Sequence, residues 1–114
     1  MYYYKVEILR VVDGDTVDVR MDLGFNVWHK CRVRLMGINA PESRTRNLEE
    51  KARGLAAKDW LKNILESAES DIEMQSHGVG KYGRVLGELF TKDGNINKLM
   101  VKEGHAELYD GGKR

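Results

Sequence analysis

Thr16-Val17-Asp18-Val19-Arg20-Met21-Asp22-Leu23, then Gly24-Phe25-Asn26, then Val27-Trp28-His29-Lys30-Cys31-Arg32-Val33-Arg34-Leu35-Met36, is the stretch that decides the fold. Val17, Val19, Met21 and Leu23 alternate with polar residues, the period of a strand with one buried face. After the Gly24-Phe25-Asn26 turn a second alternation puts Val27, His29, Cys31, Val33 and Leu35 on one face, with Trp28, Lys30, Arg32, Arg34 and Met36 on the other. Upstream, Tyr4, Val6 and Ile8 repeat the pattern, so two strands frame Asp13-Gly14-Asp15-Thr16 and a third follows. Beyond the loop Gly37 to Arg46 the period becomes four: Ala52, Ala56, Trp60 and Ile64 recur, with Leu55, Leu61, Leu65 and Ala68 beside them. This predicts an amphipathic helix with Asn47 as its N-cap and Glu50 completing a capping box. Gly54 within it costs about 1 kcal/mol.

Short strands around Asp71 to Gln75 and Arg84 to Thr91 bracket a glycine-rich turn, His77 to Gly83. The turn Lys92-Asp93-Gly94 leads to Asn95, cap of a short helix whose Ile96, Leu99, Met100 and Glu103 sit at helical spacing before Gly104 ends it. Three strands, a helix, two strands and a short helix predict a mainly β chain with helices, of α+β class. The order is that of the OB-fold, a five-stranded barrel with a long helix between strands 3 and 4 and, here, a short C-terminal helix. The length of 114 residues suits a single domain spanning residues 1–114. OB barrels often bind nucleic acid, which raises that partner without fixing a chemistry.

Hydrophobic residues at 41% and charged residues at 32% exclude a disordered chain. Apolar runs stop at four residues, Met1 to Tyr4, so no bilayer span and no membrane partner is expected. Met1-Tyr2-Tyr3-Tyr4-Lys5 has no basic n-region and no apolar h-region; a cytoplasmic place is expected for the chain as it stands, with secretion of a trimmed form left open. Cys31 alone excludes a disulfide framework, a cysteine zinc site and a redox pair. His29, His77 and His105 are scattered and show no ligand spacing. Lys plus Arg at 19 against Asp plus Glu at 18 announces no polyanion partner. Locally, Lys30, Arg32, Arg34, Arg44, Arg46, Lys51 and Arg53 crowd one segment, opposed there by Glu42, Glu49 and Glu50. Such a run can face phosphates, although a solvated charged face is its commoner meaning.

Three polar clusters are candidates for chemistry. Asp13-Gly14-Asp15-Thr16 sets two carboxylates two apart at a strand junction, where a plain hairpin turn is the commoner meaning. An EF-hand loop would need Gly and Glu where Asp18 and Gly24 stand. In Arg34-Leu35-Met36-Gly37-Ile38-Asn39-Ala40-Pro41-Glu42, Pro41 makes Ala40 extended and fixes a loop that presents Glu42, as a general base requires. Lys81-Tyr82-Gly83-Arg84 is no Walker loop, because Tyr82 stands where Ser or Thr should follow the lysine. Together the clusters hold hard oxygen ligands, a base and two guanidinium groups, the parts for metal-assisted attack of water on a phosphodiester.

Val12-Asp13-Gly14-Asp15-Thr16, Arg34 through Glu42, Lys81-Tyr82-Gly83-Arg84 and Asn97-Lys98-Leu99-Met100-Val101-Lys102-Glu103-Gly104 resemble, in order and spacing, the staphylococcal (thermonuclease-type) nuclease family over residues 6–109. The resemblance implies a Ca²⁺-dependent nuclease that hydrolyses DNA, RNA or both with little sequence preference, and a monomer is expected. By position Asp15 would be a direct metal ligand, Asp13 a water-mediated one, Ala40 a backbone-carbonyl ligand, and Thr16 an adjacent residue that orients the site. Glu42 would be the general base, and Arg34 and Arg84 would neutralise charge on five-coordinate phosphorus. Lys81 and Tyr82 would contact a substrate phosphate, and Tyr109 would be the approximate counterpart of the family's tyrosines that stack on the substrate base. Asn39 replaces the family's second carboxylate ligand, so a weaker Ca²⁺ site is expected. The chain ends at Arg114, where the best-known members continue into a further helix. The rival reading is a catalytically weak or inactive domain of the same kind that binds single-stranded nucleic acid. Arg34, Glu42 and Arg84 together favour the enzyme, since a binder has no need of a base between two arginines.

Overall fold

The first three alternating runs form an antiparallel meander of β1 (Tyr3–Asp13), β2 (Thr16–Asp22) and β3 (Trp28–Leu35). The structure, a computed structural model, describes residues 3–68, 71–79 and 84–109. After β3 come β4 (Ile38–Asn39), α1 (Leu48–Ser67), β5 (Glu73–Val79), β6 (Val85–Thr91), β7 (Gly94–Asn95), α2 (Ile96–Lys102) and β8 (Glu107–Leu108). The sheet order is β3-β2-β1-β5-β6-β7, and β3 pairs again, in parallel, with β6 through Val33–Val85 and Leu35–Gly87. That second pairing closes the five long strands into a barrel, with α1 between the third and fourth of them, as the element order predicts. Val17, Val19, Val33, Leu35, Met74 and Leu89 fill it from the strands, and Leu61, Ile96 and Met100 close it from the helices. Among the described residues no helix is long and apolar enough to cross a membrane.

Where the structure departs from the sequence pattern, the reason is packing. Val27 is 52% exposed and His29 is also exposed, so only Cys31, Val33 and Leu35 of their face turn inward. The β2–β3 hairpin outruns the barrel, since β6 covers only Val33 to Leu35. Its turn holds Phe25 and Asn26 at φ +55° and +63°, left-handed backbone that costs a non-glycine residue about 1–2 kcal/mol. The buried stripe of α1 is Gly54, Ala57, Leu61 and Leu65, with Ala68 at its C-cap, while Ala52, Leu55 and Ala56 face outward. Leu61 and Leu65 supply the apolar bulk of that stripe, and the small Gly54 and Ala57 let its N-terminal half come close to the neighbouring backbone.

Asn47 caps α1 as expected, its side chain accepting from the backbone N–H of Glu49 and Glu50 at 3.0 and 3.1 Å. The reciprocal half of the capping box is not made: Glu50 Oε2 accepts from the N–H of Glu42 at 3.3 Å, and the Asn47 N–H donates to Thr45 Oγ1. β5 also runs further than expected, through His77-Gly78-Val79, with Gly78 at φ +104° in a bulge between Ser76 and Val79.

α2 starts at Asn95 as predicted, and its second residue is Asn97, a buried polar side chain. Asn97 Nδ2 donates to the carbonyls of Met36 at 2.9 Å and Gly87 at 3.1 Å, and its Oδ1 accepts from the Leu89 N–H at 3.2 Å. One amide thus satisfies three backbone groups and ties α2 to β6 and to the turn after β3.

Candidate active site

Gly14 lies buried between the two carboxylates of the β1–β2 turn. A Cβ there would come within 2.9 Å of Ala40 Cβ and of Ala57 Cβ, so the turn is pressed against α1 and the loop after β4. The close approach makes the two aspartates grip that loop at separate points. Asp15 Oδ2 accepts from the Ala40 N–H at 2.9 Å, while its Oδ1 accepts from Thr16 Oγ1 at 3.0 Å. Asp13 Oδ1 accepts from the Ser43 hydroxyl at 2.6 Å and from the Ser43 N–H at 3.2 Å. Gly54 of α1 supports the loop from beneath: a Cβ there would sit 2.4 Å from the carbonyl carbon and oxygen of Glu42. With Glu50 holding its N–H, Glu42 has a fixed backbone and an exposed side chain.

Arg34 approaches from β3, where it pairs with Thr16 across the sheet. Its Nη2 lies 3.5 Å from Asp15 Oδ2 and 3.4 Å from Asn39 Oδ1, and its Nη1 donates to the Leu35 carbonyl at 2.9 Å. The guanidinium is 6.0 Å from the centre of the Tyr109 ring, whose backbone N–H is fixed on the Gly37 carbonyl at 2.8 Å. Asp15, Thr16, Arg34, Asn39, Ala40 and Tyr109 therefore come together. Glu42 borders two open hollows. One, of about 290 Å³, is shared with Asp13, Thr16, Arg32, Arg44 and Arg84; the other, of about 480 Å³, is shared with Asn39, Ala40, Arg53 and His105. Lys81 and Tyr82 lie outside the described residues.

Hard oxygens suited to a divalent cation are the Asp15 carboxylate, the Asn39 amide and the Ala40 carbonyl. No group of three His, Cys, Asp or Glu side chains able to hold a metal occurs among the described residues. One guanidinium nitrogen, Arg34 Nη2, lies within 3.5 Å of both the Asp15 and the Asn39 oxygens, so the two side chains share one neighbour.

Ser43, Glu50, Gly54 and Ala57 belong to the site and were not singled out for it by sequence reasoning. Gly54 carried a signal: a glycine in an otherwise good helix marks a close backbone approach.

Arg32, on the wall of the smaller hollow, donates to Asp18 from Nε at 2.8 Å and from Nη2 at 3.2 Å. That hydrogen bond holds the Asp18 carboxyl below its ordinary value; partial burial opposes it, and the charges of Arg32 and Arg10 add to it. A carboxyl depressed in the fold stabilises above its unfolded pKa and stops doing so as pH falls through the folded value. Asp18→Asn should therefore melt below the parent at neutral pH, and the gap should close under acid conditions below about 3.8, the ordinary aspartate value. Melting curves of both proteins from pH 7 to pH 2 check this, and a gap independent of pH would remove the pair's electrostatic role. Burial, then the Asp18 charge, pushes the Cys31 thiol up, away from a nucleophile's range.

The sequence profile of the family described as staphylococcal nuclease homologue matches residues 32–113. Similar proteins include an uncharacterized endonuclease of Escherichia coli, 34% identical over 104 residues, covering 90% of this chain and 60% of that protein. A thermonuclease of Staphylococcus intermedius is 32% identical over 99 residues, covering 87% of this chain and 56% of that protein. The endonuclease YhcR of Bacillus subtilis is 32% identical over 113 residues, 93% of this chain but 9% of its own length. The chain thus spans less than two thirds of each of these relatives.

Proposed function

Because the chain belongs to the staphylococcal nuclease homologue family, we infer that it is a metal-dependent nuclease hydrolysing phosphodiester bonds of DNA or RNA. The observation that carries this reading is the loop Ala40 to Ser43. It is fixed at Ala40 by Asp15, at Ser43 by Asp13 and at the Glu42 backbone by Glu50 and Gly54, so that an exposed carboxylate, in no ion pair among the described residues, shares a hollow with Arg32, Arg44 and Arg84. A general base must be held where a water can reach it, and Glu42 meets that condition.

In this reading Glu42 takes a proton from water as the water oxygen bonds to phosphorus and an ester P–O bond breaks, the leaving oxygen taking up a proton from solvent to depart as a hydroxyl. Arg84, on the same hollow, meets the negative charge that develops on the phosphoryl oxygens. Arg34 does the same from the Asp15 side, and Tyr109 flanks it. Ca²⁺ fits the donor chemistry: Asp15, Asn39 and the Ala40 carbonyl would hold it, with Thr16 fixing the Asp15 carboxylate and Asp13 assigned a water-mediated contact. When bound, the cation supplies charge neutralisation at the phosphate. Lys81 and Tyr82 complete the reading as phosphate contacts.

Incubation of the protein with single-stranded DNA and with RNA, in calcium and then in excess chelator, tests the reading. Cleavage that stops with chelator is expected, and binding without cleavage would make the chain a nucleic-acid-binding relative instead. Asn39 gives a finer test. With Asp15 as the one full charge among the three oxygens, calcium affinity is low, because charge count tunes such sites. Asn39→Asp should lower the calcium giving half-maximal cleavage severalfold, with the fold retained. An unchanged or higher requirement in the titration would take Asn39 out of the ligand set.

A further inference from the structure

The hollow that holds Glu42 and Arg84 opens onto the outer face of β3, because Arg32 is part of its wall. Side chains two apart on a strand share a face, so Lys30 and Trp28 follow Arg32 outward in a line reaching about 13 Å. Register places Arg20 of β2 directly opposite Lys30. Like charges in that position are unfavourable for a sheet by itself. Glu7 relieves Arg20 at 2.6 Å, but Lys30 is exposed and forms no ion pair among the described residues. The other acids of this face are engaged: Asp18 by Arg32, and Asp22 by the N–H of Gly24 at 2.8 Å.

At the far end Trp28 is 38% exposed, an uncommon place for that side chain on an open sheet face. The Arg20 guanidinium lies 4.2 Å from its ring centre and is itself pinned by Glu7, so one side of the indole is fixed. The remaining exposure leaves indole surface for a further flat partner. Cations leading from a hollow to an oriented aromatic are the composition of a single-strand track, in which phosphates follow the charges and a base stacks on the ring.

We propose that Arg32, Lys30 and Trp28 form a track for the single-stranded part of the substrate that lies beyond the cleaved bond, with phosphates at Lys30 and at Arg32 Nη1, the guanidinium nitrogen not bonded to Asp18, and a base on Trp28. This rests on the nucleic-acid reading above, not on catalysis. The test measures binding in excess chelator, so that nothing is cut, of a labelled twelve-nucleotide single strand and of a dinucleotide too short to reach Trp28 from the hollow. Trp28→Ala should weaken the long strand by about tenfold and the dinucleotide by less than twofold, and Trp28→Phe, which keeps a stacking ring, should recover most of the loss. Lys30→Ala should reduce the salt slope of the long strand by about 0.7. Equal losses for both lengths, or none, would overturn the track. If instead the parent cuts no substrate yet shows this length-dependent binding, the track stands and the nuclease reading falls.

Discussion

Glu42→Gln is expected to bind single-stranded DNA as the parent does and to turn it over at least ~100-fold more slowly, the usual contribution of a positioned general base. The substitution is nearly isosteric, and the contacts that set the loop use the backbone of Glu42: its N–H on Glu50 and its carbonyl over Gly54. The side chain is exposed, so removing its charge leaves the fold and the grip of Asp13 and Asp15 unchanged. What disappears is the acceptor for the water proton. Single-turnover cleavage at saturating calcium, with binding measured separately in chelator, gives the two quantities. Equal turnover by both proteins would move the base to another residue, and a loss confined to binding would make Glu42 a substrate or metal contact.

Gly54→Ala should have a double effect. On an exposed helix face the change would stabilise by about 1 kcal/mol. Here the new Cβ would lie 2.4 Å from the Glu42 carbonyl carbon and oxygen and 2.7 Å from the Ser43 nitrogen. Backbone cannot rotate out of the way as a side chain can, so either α1 or the loop must shift. Overpacking of this kind outweighs the propensity gain, and a net loss of about 2 kcal/mol is expected, a melting temperature lower by roughly 10 °C. Cleavage should fall by more than the unfolded fraction accounts for, because the displaced segment carries Glu42 and the Asp13–Ser43 bond. Thermal melts together with activity well below the midpoint separate the two effects. A variant as stable and as active as the parent would mean that the helix can withdraw without moving the loop.

The barrel was legible because its signals are periodic. Alternation in β1, β2 and β3, the period-four run in α1 and the Asn95 cap each correspond to an observed element. The errors lie where shape, not polarity, decides. Ala52 and Ala56 match the helical apolar pattern but face outward, while Gly54 and Ala57 make the contact because backbone must pass within touching distance of them. No hydrophobicity pattern encodes that, and only the anomaly of a glycine in a helix hints at it. Glu50 follows the same logic: its spacing from Asn47 reads as a local capping box, yet it reaches the Glu42 N–H, a partner brought close only by the fold. The candidate site was legible as residue types in order. Ser43, buried on Asp13, was not, because a serine beside a glutamate in a loop carries no mark of its tertiary bond.

The parallel seam between β3 and β6 also governs how this molecule comes to be folded. The β1–β2 and β2–β3 hairpins join near neighbours and can form early, on the microsecond scale of isolated hairpins. Val33 and Val85, paired in the seam, are separated by about fifty residues, and loop-closure entropy must be overcome before their contact contributes anything. Closure of the seam is therefore expected late in the sequence of events, after the two hairpins. Until then β3 offers an unsatisfied edge of backbone donors and acceptors to any other chain. During synthesis the ribosome releases β6 well after β3, so this interval, more than the stability of the finished barrel, is when self-association competes with folding.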